Sequence, residues 1–170
     1  MDLKDYVREI PDFPKPGILF RDITPLLKAP DALLYVVDKF SRCYSCDDVD
    51  AIIGIESRGF MFAAPLALRL HRPLIPVRKA GRLPSETVGV KYALEYGESS
   101  LEIHVDAVEP GQRILVVDDV LATGGTMAAA ARLVEMVGGQ VLGLALVIEL
   151  AGLGGRDRLR GYDVQALLVY

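Results

Sequence analysis

The segment from Arg113 to Thr126 constrains the fold of this chain more than any other. It begins with an unbroken apolar run, Ile114 to Val117, which is typical of a strand buried on both faces of a parallel sheet. Two adjacent carboxylates, Asp118 and Asp119, follow where that strand is predicted to end, and the alanine-rich stretch from Met127 to Val137 has the composition of a helix. Because ligands of open α/β sheets bind at the carboxyl ends of strands, this junction is a candidate binding site.

The turn between the predicted strand and helix has the chemistry of a phosphate-binding loop. It consists of Ala122, Thr123, Gly124, Gly125 and Thr126. Glycines let the backbone approach a phosphate, a helix N-terminus offers free N–H groups, and the two threonine hydroxyls add donors. The aspartates only accept hydrogen bonds when ionised, so they suit sugar hydroxyls or the water shell of a metal ion. The combination predicts a site for a phosphorylated sugar.

Two nucleotide-binding motifs do not match this segment. A P-loop requires a lysine after its last glycine, where this chain has Thr126, and the dinucleotide fingerprint G-x-G-x-x-G is absent. The remaining alternative is a tight strand-to-helix turn beside a surface Asp pair. The meeting of carboxylates, glycines and hydroxyls at one strand end favours the binding site.

At this segment the chain resembles the type I phosphoribosyltransferases, whose motif for phosphoribosyl pyrophosphate (PRPP) has this form. Four other segments resemble the adenine phosphoribosyltransferase family, in that family's order: Asp12–Asp22, Gly54–Phe60, Pro76–Pro84 and Leu94–Gly97. The resemblance implies an α/β fold of type I, with a central, mostly parallel sheet flanked by helices, a small N-terminal hood and a flexible flap. It also implies transfer of the phosphoribosyl group from PRPP to adenine, giving AMP and pyrophosphate in purine salvage.

Length and composition fit one globular α/β domain covering residues 1–170. Apolar residues make up 51% and charged residues 25%, and no apolar stretch approaches the roughly 18 residues of a membrane span. The net charge of −4 argues against a general nucleic-acid binder. The charged N-terminus lacks the apolar core of a signal peptide, so we expect a cytoplasmic protein.

Strand and helix patterns alternate along the chain, which predicts parallel strands joined by helical crossovers. Two segments depart from the alternation. Residues 11–22 contain three prolines and correspond to the hood, and residues 82–105 are long for a loop and correspond to the flap. Strands are predicted at 49–55, 74–77, 101–105, 113–118, 141–148 and 164–169, and helices at 31–41, 59–70 (with Pro65 in its first turns), 127–137 and 152–160.

The resemblance implies roles for residues around PRPP. The turn 122–126 would hold the 5′-phosphate, and Asp118 and Asp119 the ribose hydroxyls. Arg58 would bind pyrophosphate beside Glu56–Ser57, where related enzymes have a cis peptide. Mg²⁺ would be held mainly by PRPP and water, with direct ligation by the Asp pair the less favoured alternative. A basic cluster would reach the pyrophosphate of a neighbouring subunit, which implies a homodimer; its members are Arg78, Lys79 and Arg82.

Further roles concern the base. Glu95 on the flap is the candidate acid or base at the purine N7, and Tyr96 would shield or orient the site. Phe20 would stack on adenine, while backbone groups of Leu19 and Arg21 would read its edge. The motif Cys43-x-x-Cys46 can mark a redox or zinc site, but the favoured interpretation is two structural thiols at the end of a helix.

Two other functions remain open at this point. One is a type I transferase for another base, such as hypoxanthine, xanthine or orotate, which the Phe20–Arg21 segment and Glu95 disfavour. The other is a non-catalytic, PRPP-sensing regulator of the same fold. Such a regulator needs a DNA-binding region and a basic face, whereas this chain has 19 basic and 23 acidic residues.

Overall fold

A computed structural model describes residues 1–93 and 98–170 of the chain. Within these residues, seven strands form one sheet in the order β5-β6-β4-β3-β7-β8-β9. Their bounds are β3 Ala51–Ile55, β4 Leu74–Lys79, β5 Thr87–Ala93, β6 Glu98–His104, β7 Arg113–Leu121, β8 Gln140–Glu149 and β9 Val164–Val169.

Five strands pair in parallel, in the order β4-β3-β7-β8-β9. Beyond β4, the antiparallel strands β6 and β5 extend the sheet. Helices lie on both faces: α1 Thr24–Lys28, α2 Pro30–Cys43, α3 Phe60–Leu70 and α4 Gly125–Met136. The α/β fold with a central, mostly parallel sheet is therefore confirmed. A separate antiparallel pair consists of β1 Arg8–Pro11 and β2 Leu19–Asp22, and only β2 lies entirely within the range 11–22 predicted for the hood.

The two faces of the sheet carry two apolar cores. One packs α2 and α3 against alternate residues of the central strands, represented by Phe40, Phe62 and Leu115. The other packs α4 and the β5–β6 pair on the opposite face, represented by Leu133 and Ile103. Ile114 to Val117 are completely buried, as predicted for a strand covered on both sides. No helix in the described part of the chain is long and apolar enough to cross a membrane.

Two local predictions were wrong. Strand β7 does not end at Asp118 but continues through Asp119 to Leu121, because β8 pairs with it as far as Glu149. The helix predicted at 152–160 is instead two 3-10 segments, Ala151–Leu153 and Gly155–Leu159, separated by Gly154 with a positive φ of 65°. Pro65 lies in the second turn of α3, among its first turns as predicted.

The start of α3 approaches the sheet so closely that its first flanking residue must be glycine. A Cβ on Gly59 would lie 2.6 Å from the carbonyl oxygen of Ile55 and 2.7 Å from that of Val117. This contact brings the loop after β3 directly against β7. Both approaching atoms belong to strand backbones, which cannot move aside cheaply.

We expect Gly59→Ala to lower the free energy of unfolding by about 1–3 kcal/mol, because the added methyl overpacks this contact. Gly152→Ala is the matched control, since nothing lies within 4 Å of its added Cβ. Denaturant unfolding of both variants measures the difference. Equal stability of the two variants would show that the α3 junction tolerates a side chain.

Candidate active site

One cavity lies at the carboxyl ends of β3 and β7, where the sequence predicted a binding site. Its volume is about 370 Å³. Its walls come from the loop after β3, the end of β7, the start of α4 and strands β4, β5 and β6. The lining residues are Glu56, Ser57, Arg58, Lys79, Tyr92, Ser99, Asp118, Asp119, Val120, Ala122 and Thr126.

The turn 122–126 has the geometry of an anion cradle. Gly124 precedes α4 with φ of 82°, a conformation that favours glycine, and its carbonyl accepts the Ala128 N–H at 2.9 Å. Ala122 and Thr126 line the cavity, while Thr123 and Gly125 complete the turn between them. The helix that follows aims its free N–H groups and partial positive charge at this end of the sheet.

A second glycine supports this turn from behind. A Cβ on Gly124 would overlap the carbonyl oxygen of Gly155, and a Cβ on Gly155 would overlap the carbonyl oxygen of Ala122. The 3-10 segment that contains Gly155 is held by Arg156, which makes two hydrogen bonds of 2.7 Å to the buried carboxylate of Glu149. The shape of the cradle therefore depends on a segment that sequence analysis assigned only to a helix.

The acidic pair is buried at the cavity wall. Asp118 is 9% exposed and Asp119 is 4% exposed. The Arg58 guanidinium forms an ion pair with the Asp119 carboxylate, and one oxygen of Asp118 accepts the Asp119 N–H at 2.9 Å. Burial, and secondly the charge of Asp119, raise the pKa of Asp118 well above 3.8. The two carboxylates thus line the same cavity, and Arg58 links Asp119 to the loop after β3.

Arg58 connects three parts of the site. It follows the Glu56–Ser57 peptide, which is cis, as the resemblance implied. Its guanidinium pairs with Asp119 and lies 5.8 Å from the centre of the Phe20 ring in the β1–β2 pair. The side chain is 46% exposed, so it remains accessible to a ligand in the cavity.

Glu56, which sequence analysis did not assign a role, organises the basic cluster. Arg78 donates to its two oxygens at 3.2 and 3.3 Å, and the Lys79 N–H donates at 3.0 Å. The hydrogen bond from Arg78, with a further contribution from Lys79, lowers the pKa of Glu56. Arg78 also donates to the carbonyl of Arg82 at 2.9 Å. Of the three predicted basic residues, Lys79 lines the cavity, while Arg78 and Arg82 are tied together beside it.

Of the residues predicted to bind the base, Phe20 lies beside Arg58 of the cavity, whereas the side chain of Arg21 points elsewhere. Phe20 stacks edge-on against Phe13, with ring centres 5.1 Å apart. Leu19 is 43% exposed. The Arg21 side chain does not face the cavity but pairs with Glu9 and lies 4.0 Å from the centre of the Tyr170 ring. Its predicted role used only its backbone, which lies opposite Glu9 in the β1–β2 pair.

Two predicted residues, Glu95 and Tyr96, lie outside the described residues. Their neighbours supply side chains that the sequence analysis missed: Tyr92 of β5 and Ser99 of β6 both line the cavity. The Thr126 hydroxyl lies 3.4 Å from the Tyr92 hydroxyl, so β5 contacts the cradle directly. The alternation of Val88, Val90 and Tyr92 along β5 was a signal that these side chains share one face.

Within residues 1–93 and 98–170, no three His, Cys, Asp or Glu side chains converge in a way that would hold a metal ion. Cys43 and Cys46 are both exposed thiols. In the cavity, the carboxylates of Asp118 and Asp119 are the donors that fit a hydrated Mg²⁺, because that ion usually keeps several waters.

The fold and the cavity define a phosphoribosyltransferase, and comparison with known proteins agrees. The family model described as phosphoribosyl transferase domain matches residues 26–167. The chain is 58% identical to an adenine phosphoribosyltransferase of Synechococcus sp. over 173 residues, covering 100% of this chain and 99% of that protein. It is 49% identical to the adenine phosphoribosyltransferase of Kosmotoga olearia, covering 100% of both.

Solved structures give the same result. The adenine phosphoribosyltransferase of Thermoanaerobacter pseudethanolicus superposes with a TM-score of 0.95 at 50% identity, over 99% of this chain and 98% of that one. The enzyme of Saccharomyces cerevisiae was solved with adenine and an imino-altritol bisphosphate. It superposes with a TM-score of 0.93 at 40% identity, over 98% of this chain and 96% of that one. The chain belongs to the adenine phosphoribosyltransferase family.

The raised pKa of Asp118 predicts an effect of pH on stability. Its unfolded pKa is near 3.8 and its folded pKa is higher, so the folded state loses stability as pH rises from 3.8 through the folded pKa. We expect Asp118→Asn to raise the melting temperature at pH 7, because the amide keeps the acceptor oxygen without a buried charge. The gain should shrink as pH falls towards 4.

Thermal unfolding between pH 4 and pH 8 measures this difference, with the exposed Asp106→Asn as the control that should follow the wild type. A variant at Asp118 that is less stable than the wild type at pH 7 would contradict the account of a costly buried carboxylate.

Proposed function

We propose that the protein transfers the 5-phosphoribosyl group from PRPP to N9 of adenine, giving AMP and pyrophosphate. One observation carries this proposal: the cradle 122–126 and the Asp118–Asp119 pair share a cavity with the cationic loop at Arg58. This arrangement offers separate environments for the monophosphate, the ribose and the pyrophosphate of PRPP.

The reaction needs stabilisation of opposite charges a few ångströms apart. The ribose C1 develops positive charge as pyrophosphate departs, and the buried carboxylates of Asp118 and Asp119 favour a cation beside them. The departing pyrophosphate is strongly anionic and would meet the guanidinium of Arg58 and the ammonium of Lys79. The carboxylates would also accept hydrogen bonds from the ribose hydroxyls.

Mg²⁺ would enter with PRPP, bound by phosphate oxygens and water. When bound, it neutralises charge on the departing pyrophosphate. The residues that fit its water shell are Asp118 and Asp119, which line the cavity. Their burial and their engagement with Arg58 and the Asp119 N–H favour this indirect contact over direct ligation.

Adenine is the proposed base because the hood segment lies beside the cavity. Phe20 reaches Arg58 and offers an aromatic face, which suits a purine ring. The relatives solved with adenine, from Saccharomyces cerevisiae, and with 9-deazaadenine, from Giardia lamblia, are 40% and 31% identical to this chain. Backbone groups of Leu19 and Arg21 would read the amino group at C6. The cytoplasmic location remains part of this proposal.

The experiment that tests the activity is AMP formation from adenine, PRPP and Mg²⁺, run beside hypoxanthine, guanine, xanthine and orotate. Turnover of adenine alone is expected, since a site that hydrogen-bonds the amino group rejects bases with an acceptor there. Turnover of another base in preference to adenine would refute the assignment of the base. PRPP binding without any turnover would favour a sensor.

Glu95 is proposed to hydrogen-bond the purine N7 when the flap covers the site. We expect Glu95→Gln to lower kcat by about 10²–10⁴-fold and to weaken PRPP binding much less, because the charge matters mainly in the transition state. Glu98→Gln on the neighbouring strand β6 is the control. Wild-type kcat in the Glu95 variant would remove this residue from the mechanism.

A homodimer is proposed from an exposed apolar face of α3 and β4. Met61, Leu68 and Leu74 are 46%, 83% and 41% exposed. Leu74 pairs with Ile52 in register, which places it on the same face of the sheet as α3. A second copy on this face would cover the patch and bring the Arg78–Arg82 region towards the neighbouring site.

We expect Leu68→Glu to convert the dimer to a monomer and to reduce turnover, because a buried charge without a partner opposes association. Leu34→Glu is the matched control, since Leu34 is also an exposed helical leucine, at 56%, but lies on α2. Light scattering should give twice the 18.5 kDa chain mass for the wild type and the control. A monomeric, active wild type would exclude the shared site.

A further inference from the structure

A second cavity lies between strand β5, helix α4 and the 3-10 segment Gly155–Leu159. Its volume is about 270 Å³. The cavity receives one cationic side chain from each of these three elements: Lys91 from β5, Arg132 from α4 and Arg158 from the 3-10 segment. Among residues 1–93 and 98–170, no acidic side chain contributes to its lining.

Within the described part of the chain, these three cations have no charged partner. In residues 1–93 and 98–170, none of them forms an ion pair or a side-chain hydrogen bond, in a chain whose net charge is −4. Two neighbouring carboxylates in the described part of the chain have other partners. Asp157 pairs with Arg160 at 2.8 Å, and Glu135 accepts the Tyr162 hydroxyl at 2.7 Å. Three unpaired cations around one concave space create a positive potential that favours an anion.

The position of Arg158 strengthens this argument. A Cβ on Gly125 would lie 3.5 Å from one terminal nitrogen of the Arg158 guanidinium, so this cation lies over the first residue of α4. The N-terminus of a helix carries partial positive charge, and a cation beside it is unfavourable unless an anion lies between or next to them. The small side chains of Ala128 and Ala129 leave room for such an anion against the helix.

We propose that this cavity binds a small polyanion with a chain of two or more phosphate groups, at a site separate from that for PRPP. Two of its three cations are arginines, whose planar guanidinium groups match phosphate oxygens in pairs. Because the three cations lie on three different elements, they would contact successive phosphates of a chain better than they would contact one isolated phosphate. A volume of about 270 Å³ admits a short phosphate chain but little more.

The second cavity is coupled to the catalytic one through β5. Tyr92 lines both cavities, and its hydroxyl lies 3.4 Å from the Thr126 hydroxyl of the cradle. A polyanion bridging Lys91 and Arg132 would hold β5 against α4. Occupation of this cavity therefore alters the affinity for PRPP, and PRPP alters the affinity for the polyanion by the same factor.

Calorimetric titration with inorganic triphosphate tests the proposal, with PRPP and Mg²⁺ at saturation to occupy the catalytic cavity. We expect binding to the wild type that weakens about tenfold in Arg132→Ala and, as a second variant, in Arg158→Ala. Arg42→Ala, which removes another exposed arginine far from this cavity, is the control and should bind as the wild type does. A parallel titration with ATP distinguishes a nucleotide from an inorganic chain by the added affinity of its nucleoside.

The results separate this site from the proposed activity. Both arginine variants should retain wild-type turnover of adenine and PRPP in the absence of triphosphate. Unchanged triphosphate binding in both variants, or no binding to the wild type up to about 1 mM, would overturn the proposal. A raised KM for PRPP in Arg158→Ala with triphosphate binding intact would assign that arginine to the cradle and also overturn it.

Discussion

The site depends on the parallel pairing of β3 with β7. Gly54 lies opposite Val117 in this pairing, so the loops after the two strands begin side by side. One loop carries Arg58, and the other strand carries the acidic pair. Gly59 keeps the first loop in contact with the backbone of β7. Without this register the cationic and anionic halves of the cavity would not face each other.

The protein keeps negative charge in a place where burial opposes it. Asp118 and Asp119 are adjacent, nearly covered and continuous with a strand whose preceding residues are wholly apolar. Arg58 offsets part of this cost by pairing with Asp119, but the pKa of Asp118 stays raised. The proposed reaction gives a reason to retain such charges, because they would favour a cationic ribosyl group beside them.

Much of the fold and site was predictable from the sequence, for physical reasons. The apolar runs at 114–117 and 141–148 have the pattern of doubly covered strands, and the glycine turn before an alanine-rich stretch marks the start of α4. Other features depend on distant residues. The extension of β7 through Asp119 requires its pairing with β8, and the role of Gly155 requires its contact with the cradle. The sequence alone does not distinguish Glu56 from other surface carboxylates, because its role depends on the hydrogen bonds from Arg78, which is 22 residues away.

The central claim is that Asp119 and the cradle bind the phosphoribosyl group, and calorimetric binding of PRPP with Mg²⁺ tests it most directly. The account predicts that Asp119→Asn weakens PRPP binding by at least about tenfold, because it removes a charged acceptor and releases Arg58 from its ion pair. Asp157→Asn, which alters an exposed ion pair, should bind PRPP as the wild type does. Unchanged binding in the Asp119 variant would contradict the assignment of this cavity.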